Sequence, residues 1–365
     1  MNILFHLGHP SHYHVFKNVI KTLKEKGETI SIVINTKDIL EDLLKGSSLD
    51  YHNILPVRRK SKKKISALTR LLVQDINLLK FCLKNKPDIL IGSSVAISHI
   101  GKILNIPSFY VGEDDYSVVP LSSKLSLPFA TLIISPGVCS KGKWDSKKIS
   151  YDGYQKLAYL HPNNFTPEKE IVEKYFSSEK IYFLLRFSNL DAHHDSGIRG
   201  INAAIAQKLI DILKEKGDIY ITSERDLEPQ FEHYRLNINP LDIHHVMAYA
   251  TMYIGDSQSM AVEAAMLGVP SLRFNDFAGK IRVLEELEHT YQLTYGIKSQ
   301  YPDQLYSKIT ELLNSENLKE EFQQRRKKML KEKIDVAAFM TWFIANYPES
   351  KEIMRTNPDY QYNFT

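Results

Sequence analysis

The sequence predicts an α/β protein built from two doubly wound, parallel-sheet domains. Three observations carry this. Apolar strand candidates alternate with helical stretches through the first 150 residues, a second alternating series starts near residue 181, and residues 250–274 spell strand, polar turn, Ala-rich helix and strand in close succession. At 365 residues the chain is long for one core and natural for two.

In the first half the strand candidates are residues 2–7, 30–34, 88–92, 107–111 and 131–135. The opening unit is plainest: a strand, the loop 8–12, a helix presenting Val15, Val19, Ile20 and Leu23 on one face, then Lys26, Gly27 and the next strand. Ligands of such sheets bind beyond the carboxyl ends of the strands, so the loops 8–14, 92–96 and 112–116 are expected to rim a site. Residues 151–170, rich at first in aromatics, Pro and Asn, read as a connection between domains. Beyond it the strand candidates are 181–185, 218–222, 252–254 and 270–273, with Ile201, Ile205, Leu209 and Ile212 at helical spacing. The segment 336–347, with Phe339, Trp342 and Phe343, reads as an aromatic-rich helix.

Composition is that of a globular protein with a net charge of +4. The N-terminus reads as a buried strand rather than a signal peptide, and no run approaches the roughly 20 apolar residues that cross a bilayer. Cys82 and Cys139 lie far apart and form no metal-type spacing, so a cytoplasmic location is expected. Nothing has the aromatic interleaving of a nucleic-acid binder. Arg58, Arg59, Lys60, Lys62, Lys63 and Lys64 crowd together; beside the plain reading of a solvated loop, they fit peripheral contact with the inner face of a membrane, worth about 1 kcal/mol per residue.

The segment most suited to chemistry is 250–274. Its apolar strand ends at Gly255, Asp256 and Ser257, and the spacing predicts a helix over 260–267, stopped by Gly268. Free amides at such an entrance, here around Gln258, Ser259 and Met260, suit a phosphate, with hydroxyls of Ser257 and Ser259 as further donors. Glu263, one turn in, is placed to accept from a ribose. An ordinary capped strand-to-helix turn is the plain alternative.

Four histidines, His6, His9, His12 and His14, open the chain. His12 is the preferred general base, His6 is expected to be structural, and a metal site is not expected because His12 and His14 diverge on a helix without a nearby carboxylate. Glu113, Asp114 and Asp115 follow a strand onto the same expected edge, where a carboxylate can orient or deprotonate a sugar hydroxyl. Arg186, Ser188, Asp191, His193, His194 and Asp195 form the densest polar cluster of the second half, with Arg186 and a histidine suited to neutralising a diphosphate without a mandatory metal.

These residues fall in patterns that resemble known families. The segment around 256–263 resembles the donor-site motif of GT-B nucleotide-sugar enzymes, particularly the UDP-N-acetylglucosamine 2-epimerases, whose pattern runs Pro-Leu-x-Tyr, a short helix, then Thr-Asp-Ser-Gly-Gly-x-x-Glu-Glu-Ala. Pro240, Leu241 and Asp242 precede 244–250 here, and Asp256, Ser257, Gln258, Ser259 and Glu263 follow, with Gln258 and Ser259 in place of both glycines. The segment 8–17 resembles the first loop of GT-B glycosyltransferases, whose histidine faces the acceptor. Residues 109–116 resemble the epimerase segment His-Val-Glu-Ala-Gly-Leu-Arg, which aligns Glu113 with its catalytic glutamate, whereas Gly92, Ser93 and Ser94 stand where the epimerases carry an aspartate. Leu-Arg-Phe-Ser-Asn-Leu-Asp-Ala-His-His-Asp at 185–195, Pro-Ser-His-Tyr-His-Val-Phe-Lys at 10–17 and the tyrosine-rich 151–160 are similar to a microbial GT-B family, domain of unknown function 354.

The resemblance implies a GT-B fold: residues 1–160, joined by a returning C-terminal helix within 336–365, as an acceptor domain, and residues 161–335 as a nucleotide-sugar donor domain across a cleft. It implies a glycosyltransferase using a UDP-sugar, which is a substrate rather than a cofactor, in surface polysaccharide or glycoconjugate synthesis, with a carbohydrate or lipid-linked acceptor. The implied catalytic residues are His12, Glu113 and Asp114; the donor-binding ones are Arg186, Ser188, His193, His194, Leu241, Ser257, Gln258, Ser259, Met260 and Glu263. An epimerase-like enzyme and a non-catalytic nucleotide-sugar-binding protein are the alternatives.

Overall fold

The computed structural model describes residues 1–36, 39–47, 49–55, 67–188 and 199–365. The chain divides into two compact units, one of Met1–Asn164 with Lys333–Thr365, the other of Phe165–Glu332.

The first unit holds a seven-stranded sheet of β1 (Asn2–Leu7), β2 (Thr29–Asn35), β3 (His52–Leu55), β4 (Ile89–Gly92), β5 (Ser108–Val111), β6 (Leu132–Pro136) and β7 (Lys148–Tyr151), ordered β3-β2-β1-β4-β5-β6-β7. Every neighbouring pair is parallel. The central strands β4, β5 and β6 are buried along their whole length, which is why they read as continuous apolar runs rather than alternating ones. The chain builds outward from β1 to β3 and then returns to β4, so the order reverses between β1 and β4. Helix Pro10–Glu25 starts there, with His9 accepting from the Ser11 amide and Pro10 in its first turn. Helix Val336–Ala345 packs against it, capped by Asp335, whose carboxylate accepts from the amides of Ala337 and Ala338.

Residues 151–160, expected as a connection, are instead part of this unit's interior: Tyr151, Tyr154, Leu157, Ala158, Tyr159 and Leu160 are all buried. Aromatic and Pro-rich composition resembles a linker, but five of these six side chains are large and apolar or aromatic and gain more from burial than exposure.

The second unit holds β8 (Tyr182–Phe187), β9 (Asp218–Ser223), β10 (Met252–Gly255), β11 (Ser271–Phe274) and β12 (Thr294–Ile297), all parallel and ordered β12-β11-β10-β8-β9. Its order reverses between β8 and β10. Helix Gln258–Leu267 follows β10 directly, is buried from Ala261 onward, and stops at left-handed Gly268. Its first turn begins two residues earlier than the periodicity predicts, because polar Gln258 and Ser259 hide it. Among the described residues no helix is long and apolar enough to cross a membrane.

Candidate functional site

The carboxyl ends of β8 and β10, where the second sheet reverses its order, are the expected place for a ligand in an open parallel sheet. One register row crosses the sheet there: Thr222, Arg186, Gly255, Arg273 and Gly296 are successive partners from β9 to β12. Two arginines thus alternate with two glycines. Gly255 leaves room for Arg186, and Gly296 for Arg273, whose Nη2 would lie 2.6 Å from a Cβ at position 296.

Arg186 pairs with Glu224, and among the described residues its buried Nε has no hydrogen-bond partner. Arg273 is fully buried, bonded through Nη2 to Glu288 at 2.8 Å and reaching Glu285 at 3.7 Å. Burial works against its charge and lowers its pKa, while the two glutamates favour the charged form. Its Nη1 lies 3.5 Å from Gln258 Oε1, so the side chain that replaces the first motif glycine is drawn toward β11.

Asp256 ties the entrance together. Its carboxylate accepts from the amide of Ser188 at 2.6 Å and of Ile201 at 3.1 Å, and its carbonyl accepts from Asn275 Nδ2 at 2.8 Å. Ser188 and Ile201 flank the polar stretch that contains Asp191, His193, His194 and Asp195, residues that themselves lie outside the described ones. Burial raises the Asp256 pKa to about 6 against the lowering effect of the two amides.

Ser257 caps helix Gln258–Leu267, its Oγ facing the Met260 amide at 3.5 Å, and Ser257, Gln258, Ser259 and Met260 are all partly exposed at this entrance. Beneath it, buried Tyr253 sends its hydroxyl to the Ser257 carbonyl at 3.4 Å. Glu263 is nearly buried, with Oε1 3.5 Å from Nε2 of buried His244. Leu241 sits in the short turn Pro240–Asp242, its amide bonded to Asn239, while Asp242 accepts from Tyr175 at 2.6 Å. The fold thus brings Arg186, Ser188, Ser257, Gln258, Ser259 and Met260 to one sheet edge.

In the first unit, His12 lies in the first turn of helix Pro10–Glu25, and its Nδ1 accepts from the Gly8 amide at 3.1 Å. A neutral ring in that arrangement carries its proton on Nε2, so Nε2 donates. His6 is buried in β1, with Nε2 3.3 Å from Gln74 Nε2 and a pKa lowered to about 4 by burial, which fits a structural role. Ser93 bonds the Val111 carbonyl, and Ser94 caps the helix after β4, so the residues standing in for the epimerase aspartate serve the backbone.

Glu113, after β5, is held on both oxygens: Oε1 pairs with the buried Lys156 and Oε2 accepts from the Gln155 amide at 3.1 Å. Asp114 is exposed, while Asp115 is buried and accepts from the Ser140 amide at 2.8 Å. Sequence reasoning missed Lys156, Arg273, Asn275 and Glu288. Arg273 left a signal, a charged residue inside an apolar strand run; Lys156 left none. Among the described residues no three His, Cys, Asp or Glu side chains are grouped to hold a metal ion.

Two parallel α/β units with these strand orders place the protein in the GT-B class of folds. The chain belongs to the family described as Protein of unknown function (DUF354), whose model matches residues 1–293. Its fold is similar to UDP-GlcNAc 2-epimerase from Neisseria meningitidis bound to UDP-GlcNAc, at 16% identity over 91% of this chain and 100% of that one, TM-score 0.61. It is also similar to UDP-GlcNAc 2-epimerase from Methanocaldococcus jannaschii in complex with UDP-GlcNAc and UDP, at 14% identity over 90% and 99%, TM-score 0.64. The SsfS6 glycosyltransferase of Streptomyces sp. SF2575 matches at 11% identity over 95% and 100%, TM-score 0.59. Such identities establish a shared fold. No curated protein matches the chain.

Proposed function

We propose that the protein is a GT-B glycosyltransferase that takes a UDP-linked sugar on its second unit. The observation that carries this reading is the Asp256-anchored entrance of helix Gln258–Leu267, which sits where the strand order reverses and presents partly exposed Ser257, Gln258, Ser259 and Met260. The diphosphate would lie at this entrance, with Arg186 and the histidines 193 and 194 offsetting its charge. Glu263 would meet the ribose, moving from His244, and Leu241 would pack beside the base. Solved neighbours of the same fold bound to UDP-GlcNAc and UDP support the ligand class.

On the first unit, His12 and Glu113 would receive the acceptor. The acceptor oxygen bonds to the sugar's anomeric carbon, the bond from that carbon to the diphosphate oxygen breaks, and the acceptor proton passes to His12. Taking that proton at Nε2 requires the ring to shift its own proton to Nδ1 and release the Gly8 amide, so acceptor binding and base activation would be one event. Asp114, exposed beside Glu113, would contact the acceptor's hydroxyls. A lipid-linked or carbohydrate acceptor, a place in surface polysaccharide synthesis and inner-membrane contact through residues 58–64 belong to the same proposal.

One observation favours a second reading, nucleotide-sugar 2-epimerisation: Glu113 is fixed at the carboxyl end of β5 by Lys156 and Gln155, as a preorganised catalytic carboxylate would be. Incubation with UDP-sugars and candidate acceptors in heavy water separates the two. Transfer is expected to release UDP without isotope in the sugar. Deuterium at carbon 2 would replace it with epimerisation, and binding without turnover would leave a nucleotide-sugar-binding protein.

A further inference from the structure

Helix Ala67–Asn85 turns Leu78 and Cys82 into the core of the first unit yet leaves Leu68, Leu72, Ile76 and Leu83 between 51% and 68% exposed. At about 100° per residue these four fall within roughly a quarter-turn, a continuous apolar stripe. On the same count exposed Lys80 borders the stripe, about 40° beyond Ile76, and exposed Lys84 and Arg70 follow further round the helix.

Along the other margin Asp75 pairs with His99 of helix Val95–Leu104 at 2.9 Å. His99 Nε2 in turn lies 3.0 Å from the Leu125 carbonyl, on helix Pro120–Ser126, and its ring stands edge-on to Phe129 at 5.0 Å. One histidine therefore touches three surface helices or the turn after them, and further exposed apolar residues stand on the third helix and just past its end, Leu121, Leu125 and Phe129. Single exposed leucines are ordinary; four on one face of one helix, with three more on and beside a helix linked to it through His99, mark a surface that something covers.

The charge on the same helices says what covers it. Arg70, Lys80, Lys84, Lys102 and Lys124 are five exposed cations, and the only acidic residue on these helices is Asp75, already paired with His99. The basic run 58–64, which precedes the helix in sequence, has the same sign. Apolar side chains that enter an acyl boundary, flanked by cations that meet phosphates, are what an anionic bilayer surface recognises. We propose that this face docks on an anionic lipid membrane, with Leu68, Leu72, Ile76 and Leu121 entering the headgroup boundary and Lys80, Lys84, Lys102 and Lys124 meeting the phosphates. This rests on the reading of a membrane-borne acceptor and deepens it; vesicle binding is measured without nucleotide, so it and donor binding can fail separately.

The test is sedimentation of the full chain with vesicles of phosphatidylcholine alone or mixed with phosphatidylglycerol, for the natural protein and the double variants L72S/I76S and K80E/K84E. All four positions are exposed, so unchanged circular dichroism and melting are expected for both variants. The natural protein is expected to sediment with the anionic vesicles and not with the neutral ones, and each variant to lower binding by at least about tenfold, the effect of withdrawing two partly inserted side chains or reversing two charges. Absence of binding to anionic vesicles, equal binding to neutral ones, or natural binding by L72S/I76S would overturn the proposal. A dimer in solution that L72S/I76S dissolves, without vesicle binding, would overturn it in favour of a second copy of this chain.

Discussion

Arg186 and Gly255 are register partners across β8 and β10, and the arginine occupies the space a side chain at 255 would need. A Cβ at position 255 would lie 2.8 Å from Arg186 Cβ, 2.9 Å from the Arg186 carbonyl and 2.5 Å from the Tyr253 hydroxyl. The glycine of the Gly-Asp-Ser turn is therefore set by packing under the helix entrance.

Gly255→Ala is expected to destabilise the protein by about 1–3 kcal/mol, since neither a backbone carbonyl nor a fully buried tyrosine gives way cheaply. It should also weaken UDP binding, because the displaced groups are Arg186 and the Tyr253 contact to the helix cap. Urea unfolding and calorimetric titration of the variant check both; natural stability would show that Arg186 moves freely.

Asp256 gives a pH dependence of definite sign. Its folded pKa, about 6, lies above the 3.8 of an unperturbed aspartate, so its contribution to stability is fully present below pH 4 and is lost as pH rises through 6. The loss is about 3 kcal/mol for two pKa units. Asp256→Asn cannot titrate. The stability difference, natural protein minus variant, should therefore fall by about that amount between pH 4 and 7; a difference constant with pH would show that the two amide bonds fully offset burial, and one that rises would show that they outweigh it.

How far the sequence revealed this arrangement depends on where each residue's partners lie. Strands β1, β2, β4, β5, β6, β8, β9, β10 and β11 were legible because each is a compact apolar run between turn residues. β3, β7 and β12 were not: His-Asn-Ile-Leu, Lys-Ile-Ser-Tyr and Thr-Tyr-Gly-Ile are edge strands of four residues whose mixed polarity follows from having one open side. At the site, Ser257 as a cap followed from local residue order. The bonds from Asp256 to Ser188 and Ile201, 68 and 55 residues away, and from Glu113 to Lys156 depend on the register of distant segments, which no local pattern encodes.

His12→Ala should lower turnover by at least about a hundredfold, the usual scale of a lost general base, and leave UDP affinity within about threefold. The two numbers come from steady-state kinetics and titration of the same preparation. A large loss of UDP affinity would move His12 from the acceptor to the donor.

Lys156→Met leaves the Glu113 carboxylate largely buried without its cation and should cost about 3 kcal/mol or more. Glu113→Gln keeps an acceptor for the Gln155 amide and removes the charge instead. If Glu113 touches substrate, E113Q loses turnover by far more than its change in melting temperature explains; if it only secures residues 155 and 156, stability falls and turnover per folded molecule does not.

A uridine diphosphate site at the entrance of helix Gln258–Leu267 is read out by thermal unfolding of the natural protein with UDP, GDP, CMP or dTDP. A ligand at one hundred times its dissociation constant stabilises the folded state by about 2.7 kcal/mol, well within reach of a melt. UDP should raise the melting temperature, the other nucleotides should shift it less, and the UDP shift should be smaller in Gly255→Ala. No shift with any nucleotide, at concentrations up to the millimolar range, would mean that this helix entrance holds no nucleotide.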